Sequence, residues 1–165
     1  MILDGYSARV MREYYTHIGG APTRLQASTR YITYDNFAYI TPDFKGDEVA
    51  QLYYKETMDY IAERYRVLTE EYMVPKEDAA NILPLGMESK MVTRTNVRQL
   101  IDMNGNRACT RAYWEFRELM KDIREALATY SEEWKYLVNT QFKIKCDTVG
   151  YCLETECCGR YEKKN

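Results

Sequence analysis

Ser28 and Arg30, with Gln26 two residues ahead of the serine, form the most chemically suggestive spacing in the chain. Alternate side chains of an extended strand share a face. If Ser28 sits where a loop becomes a strand, one amide, one hydroxyl and one guanidinium fork face the same way, a set suited to gripping a phosphate. An ordinary exposed strand with a surface arginine has the same spacing. A second polar constellation, Asn96, Arg98 and Asp102 followed by Arg107, comes later. The intervening Asn104-Gly105-Asn106 reads as a turn that would hold Arg107 at the junction of two helices and toward a ligand. Arg98 could equally be solvated, and Asn96 could be a hydrogen bonder at a helix start. The single histidine, His17, has no plausible Ser-His-Asp or Cys-His arrangement around it.

These residues need elements to position them. Tyr6 to Tyr15 lacks Gly and Pro and reads as a helix, ended by Gly19-Gly20 and Pro22. Ser28 to Tyr34, rich in Thr, Tyr and Ile, reads as a strand. Asp47 can cap a long helix with Val49, Leu52, Tyr53, Ile61, Leu68 and Tyr72 on its apolar face, ending before Pro75. Pro75 suits the first turn of another helix, which must stop by Pro84. Lys90 to Thr95 alternates as a strand, and Thr95 can cap a short helix that runs out near Gly105. Thr110 could cap a further helix, with Tyr113, Phe116, Leu119, Met120, Ile123 and Leu127 inward and Glu118, Lys121, Asp122, Arg124 and Glu125 outward.

Bulk properties narrow the classes of function. The 165 residues suit one core. A net charge of −2 gives no overall basic field, so neither nucleic acid nor an anionic membrane is expected as the main partner, and an anion site must be local. No stretch approaches a membrane span and no signal-peptide pattern opens the chain, which predicts a cytoplasmic protein. Of five cysteines, Cys146, Cys152, Cys157 and Cys158 crowd near the C-terminus. In a reducing compartment they read as free thiols or, more weakly, as a four-thiolate zinc site, because their spacing does not match paired Cys-x-x-Cys knuckles. Sixteen tyrosines suit interfaces and ring-stacking pockets, or simply half-buried packing.

Taken in order, Ser28-Thr29-Arg30-Tyr31, Ile82-Leu83-Pro84-Leu85, Asn96 to Leu100, Arg107 and Trp114-Glu115-Phe116-Arg117 resemble the flavin-dependent thymidylate synthases over roughly Ser7 to Leu127. The Thr16 to Gln26 form of the signature and the tail Cys146 to Arg160 resemble a divergent branch found in firmicutes and their phages. The family's Arg-His-Arg opening falls on Ile18-Gly19-Gly20 at strict spacing, or on Thr16-His17-Ile18 with two extra residues, so only His17 survives. Arg24 can stand in for a lost arginine. A phosphate-binding arginine of the family falls near Ala80, an acidic residue falls on Gln26, and a flavin-holding Asn falls on Asp102.

The resemblance implies an α+β fold with a central antiparallel sheet flanked by long helices, over residues 1–140, followed by a Cys-rich tail at 141–165. It implies methyl transfer to C5 of dUMP, giving dTMP, with FAD as cofactor and NADPH and methylenetetrahydrofolate as co-substrates. By the same resemblance Ser28, Arg30, Gln26 and Glu13 hold the dUMP phosphate, and Arg107 is the catalytic residue at the pyrimidine carbonyl. His17, Arg24, Asn96, Arg98 and Asp102 line the flavin and folate side of a homotetramer's shared site. The altered signature leaves two alternatives: a relative that modifies another pyrimidine nucleotide, for instance by hydroxymethylation, or a non-catalytic flavin or nucleotide binder.

Overall fold

The computed structural model describes residues 1–17 and 23–164. The readings that fall on 18–22, the glycine stop of the first helix and the strict-spacing signature positions, lie outside the described residues. The chain divides into two compact units, Met1–Thr16 with Thr23–Arg94, and His17–Pro22 with Thr95–Asn165.

The first unit is built on an antiparallel sheet of β1 (Ile2–Ser7), β2 (Thr23–Gln26) and β3 (Glu88–Arg94), in the order β1-β3-β2. β1 was not legible in the sequence, and it shortens the first helix: Ser7 ends the strand and its hydroxyl accepts from the Val10 N–H at 3.2 Å, capping α1 (Ala8–Tyr15). The pairing of β1 with β3 shifts register between Leu3 and Tyr6, where Gly5 has φ +75°. Only glycine takes that conformation without steric cost.

The strand expected at Ser28 to Tyr34 lies instead at Thr23–Gln26, where Arg24 and Gln26 share the half-buried face. Ser28 therefore sits where strand gives way to turn, and the alternation argument that joined it to Arg30 does not apply. On the outer face, Val92 of β3 is registered with both Ile2 of β1 and Leu25 of β2. These three side chains are 48%, 66% and 73% exposed, an apolar row across the whole sheet.

Asp47 caps α2 (Glu48–Arg66) as expected, accepting from the Ala50 N–H at 3.0 Å. Its buried face differs from the one expected. Met58 and Tyr65 are buried, with Tyr54, Ile61 and Leu68 packed beside them, against Tyr34, Phe37 and Met87. Val49, Leu52, Tyr53 and Tyr72 are exposed. The helix carries apolar residues on two sides, and the segment around Tyr34 and Phe37 selects the inner one. Tyr54 Oη donates to the Ile40 carbonyl at 2.9 Å. A Cβ at Gly86 would meet that hydroxyl at 2.5 Å, so a side chain there would displace it. A π-helical turn (Val67–Glu71), α3 (Lys76–Ala79) and a 3-10 turn (Ala80–Ile82) lead to Pro84.

In the second unit Asn96, not Thr95, caps α4 (Val97–Arg107), accepting from the Gln99 N–H at 2.8 Å. This matches the helix-start reading of Asn96. The helix does not stop at Gly105. Asn104 and Gly105 are buried within it, and Asn104 Nδ2 donates to the Lys143 carbonyl at 3.3 Å. α5 (Trp114–Tyr130) begins after Tyr113 rather than Thr110 and buries Phe116, Leu119, Met120 and Ile123. Ser131 then caps α6 (Glu132–Gln141), and α7 (Lys145–Val149) ends at Gly150. No helix among the described residues is long and apolar enough to cross a membrane.

Candidate functional site

The second unit gathers its polar residues around His17. Arg107 Nε donates to His17 Nε2 at 3.0 Å. A nitrogen that accepts this bond carries no proton, which assigns the Nδ1–H tautomer to the imidazole. Phe116 floors the pair, its ring 5.2 Å from the Arg107 Cζ and 5.9 Å from the imidazole centre. An arginine over an aromatic face gains electrostatically from the ring quadrupole. Gln99 completes the arrangement: its Nε2 donates to the His17 carbonyl, while its Oε1 accepts from the Thr95 hydroxyl. Gln99 is buried, so these bonds matter for its polar atoms.

Helix geometry explains which members of the Asn96 constellation meet. At about 3.6 residues per turn, Arg107 lies close to a whole number of turns from Asn96 but half a turn out of phase with Arg98. Asn96 thus enters through its cap to Gln99, while Arg98 is exposed on the opposite side of α4. Asp102 is exposed and lines a separate cleft with Lys143, Lys145 and Asp147. A smaller cleft of about 380 Å³ opens beside His17 and Arg107, walled by Asn106, Arg111, Ala112 and Glu154.

In the first unit the expected phosphate residues are spread over β2, α1 and the following turn. Gln26 Nε2 donates to Ser89 Oγ at 3.0 Å. Ser28 Oγ accepts from the Arg30 N–H at 3.3 Å, a local turn bond. The Arg30 guanidinium pairs with Glu77 at 2.7 Å and lies over Tyr31, with both charged side chains more than half exposed. Arg24 stacks on the rings of Tyr14 and Tyr15 and donates to the Tyr15 carbonyl at 3.2 Å. Glu13 faces Arg9 at 3.8 Å.

Of the tail cysteines, Cys146, Cys152 and Cys158 line one small cavity together with Cys109, which stands far from them in the sequence. Cys157 is exposed and its thiol donates to the Tyr161 carbonyl at 2.9 Å. The Thr110 hydroxyl, foremost, and the Arg160 N–H hold the Cys158 thiol below the usual thiol range. Two residues central to the His17 cluster, Gln99 and Phe116, were not singled out from sequence. Both lie inside the motifs quoted above, and apolar periodicity marked Phe116 only as core.

Comparison with known proteins sets this geometry in a family. The curated flavin-dependent thymidylate synthase of Geobacter sulfurreducens is 37% identical over 101 residues, covering 59% of this chain and 43% of the relative. That of Nitratidesulfovibrio vulgaris is 29% identical over 146 residues, covering 82% and 58%. The chain thus spans about half the length of the curated relatives it matches. A crystal structure of the Helicobacter pylori flavin-dependent thymidylate synthase, complexed with FAD and dUMP, superposes with a TM-score of 0.67 at 19% identity. It covers 86% of this chain and 72% of that one, a likeness of fold. The α+β expectation, an antiparallel sheet with long helices, agrees with that fold. The profile of the thymidylate synthase complementing protein family matches residues 2–130, and the chain belongs to that family.

Proposed function

We propose that the chain acts as a flavin-dependent thymidylate synthase, moving a one-carbon unit from methylenetetrahydrofolate to C5 of dUMP to give dTMP, with NADPH as reductant. The observation that carries this reading is the His17–Arg107–Phe116 cluster. It supplies an arginine whose orientation is fixed before substrate arrives, as electrostatic stabilisation of developing charge requires. With Nε directed at His17, the Nη end of the fork would meet a pyrimidine carbonyl and favour negative charge there as C5 becomes nucleophilic. Arg107 is the catalytic residue, and His17, Gln99 and Phe116 position it.

Bound FAD would supply the one-carbon and hydride chemistry that no side chain here provides. The residues present fit its anionic part. Arg98 is exposed in the first turn of α4 with no ion pair among the described residues. Arg24, Asn96 and His17 complete the expected flavin and folate side. Asp102 shares its cleft with two lysines and a second carboxylate, Asp147, so its place on that side rests on the resemblance alone.

For the dUMP phosphate, Ser28 and Arg30 remain the expected ligands, with Gln26 and Glu13 near them. The Arg30–Glu77 pair does not block that role. An exposed pair of this kind is worth about 0–1 kcal/mol, whereas hydrogen bonds to a charged phosphate are worth about 1.5–3 kcal/mol. The ligand wins. Sites shared among subunits of a homotetramer in the cytoplasm complete the reading, which includes neither nucleic acid nor membrane as a partner. Residues 1–140 form its synthase-like domain.

The test is spectroscopic. The purified chain, loaded with FAD, should be yellow and should change its flavin absorbance on addition of dUMP. A chain that takes up no FAD would sink the reading in favour of a non-catalytic relative. An FAD-loaded chain that ignores dUMP but answers to another pyrimidine nucleotide would transfer it to that acceptor.

A further inference from the structure

The cleft beside His17 and Arg107 takes part of its wall from the tail, well beyond residue 130, where the family profile ends. That part is Glu154, the only carboxylate among the described residues lining the cleft. Resting on the synthase reading above, we propose that Glu154 is a specificity-determining residue: it accepts the N3–H of the uracil ring while Arg107 donates to the adjacent carbonyl.

Several bonds fix the tail where it carries Glu154. The Glu154 N–H faces the sulfur of Cys152, which is buried and donates its own N–H to the Glu162 carbonyl at 2.7 Å. Lys163 Nζ donates to the Thr155 carbonyl at 3.1 Å, and Arg160 pairs with Asp147 of α7 at 2.9 Å. Glu156 pairs with Arg111, which fastens the segment to the α4–α5 junction just beyond Arg107. Among the described residues no group of three or more His, Cys, Asp or Glu side chains could hold a metal ion, so the four-thiolate zinc reading of the tail is not supported.

Charge decides what this cleft accepts. Arg107 and Arg111 are offset by Glu154 in the wall and by Glu156 on Arg111, and His17 in its Nδ1–H form adds no charge. The cleft therefore has no cationic excess to hold a phosphate or pyrophosphate, and a carboxylate in the wall repels one. At about 380 Å³ it lies near the small end of the roughly 300–1,000 Å³ of small-molecule sites.

A neutral ring with both hydrogen-bonding senses on one edge suits it better. The Glu154 carboxylate makes no ion pair or side-chain hydrogen bond among the described residues. It is exposed to the cleft as an acceptor, beside a guanidinium that can only donate. The imide edge of uracil answers that pair with a carbonyl next to an N–H. Cytosine carries a bare acceptor at N3, so it would set one lone pair against another and leave both unsatisfied.

The test compares two nucleotides on two chains. FAD-loaded wild-type chain is titrated with dUMP and with dCMP, read by flavin absorbance, and should prefer dUMP by at least about 100-fold. Glu154→Gln can turn its amide to donate to N3 of cytosine, and should lower that preference by about 10-fold or more. Glu154 is exposed, so the variant should keep its fold, and its bound-flavin spectrum checks this. An unchanged preference in E154Q overturns the assignment, as does an equal loss of both nucleotides, which would make Glu154 a prop for the tail. A wild-type chain that ignores dUMP sinks the synthase reading and this inference together, whereas failure in the E154Q arm alone sinks only this inference.

Discussion

Arg30 and Arg107 are held in opposite ways, although both serve the proposed reaction. Arg30 lies in an exposed turn, tied to Glu77 by an ion pair that solvent screens. Arg107 is half-buried, bonded to an imidazole and laid on a buried phenyl ring. The first can be recruited by a phosphate at little cost. The second must be right in advance, because its contribution depends on not reorganising while charge develops.

Substitutions can break that contrast or sharpen it. Phe116→Ala removes the floor of the cluster and a fully buried ring, and should cost about 3–5 kcal/mol of unfolding free energy in urea titration. A loss under about 1 kcal/mol would mean that the ring is not packed as described. Arg107→Ala should lower kcat for dTMP formation by about 10²–10³-fold and leave the bound-flavin spectrum in place. Parallel loss of flavin would remove its catalytic role.

Arg30→Ala should raise the KM for dUMP by roughly 10–100-fold with kcat nearly unchanged, the value of charge-assisted bonds to phosphate. An unaltered dUMP response would place the phosphate elsewhere. Asn96→Ala should cost about 1 kcal/mol of stability through the lost cap. Equal stability would show that the Asn96 side chain is not the cap. Smallest of all, Glu77→Gln should change stability by less than about 1 kcal/mol and lower the KM for dUMP slightly. A higher KM would mean that Glu77 presents Arg30 rather than competing for it.

How far the sequence reveals these features follows from how local their causes are. The start of α2 was legible because Asp47 meets the Ala50 N–H three residues away. β1 was not, since Asp4 and Gly5 are poor strand residues and only pairing with β3 makes Ile2–Ser7 extended. Ser28 to Tyr34 has strand-like composition, yet β3 pairs with Thr23–Gln26, so tertiary pairing overrides propensity. Asn104-Gly105-Asn106 reads as a turn, and burial of Asn104 against the Lys143 carbonyl continues the helix through it. Within the site, the opposed faces of Arg98 and Arg107 follow from the helical period alone. The convergence of Gln99 and Phe116 on His17 is packing between distant segments, which spacing does not encode. Cys109 was hidden for the same reason.

In the proposed homotetramer, the row of Ile2, Val92 and Leu25 on the outer sheet face would make dilution a variable in assays of this protein. Burying apolar surface against another molecule is worth about 25 cal/mol per Å², so such a face favours company. Mass action then links the amount of chain in the tube to the state it adopts. If assembly completes the proposed catalytic centre, specific activity will climb with protein concentration before it levels, and a rate taken at one dilution will understate the proposed activity.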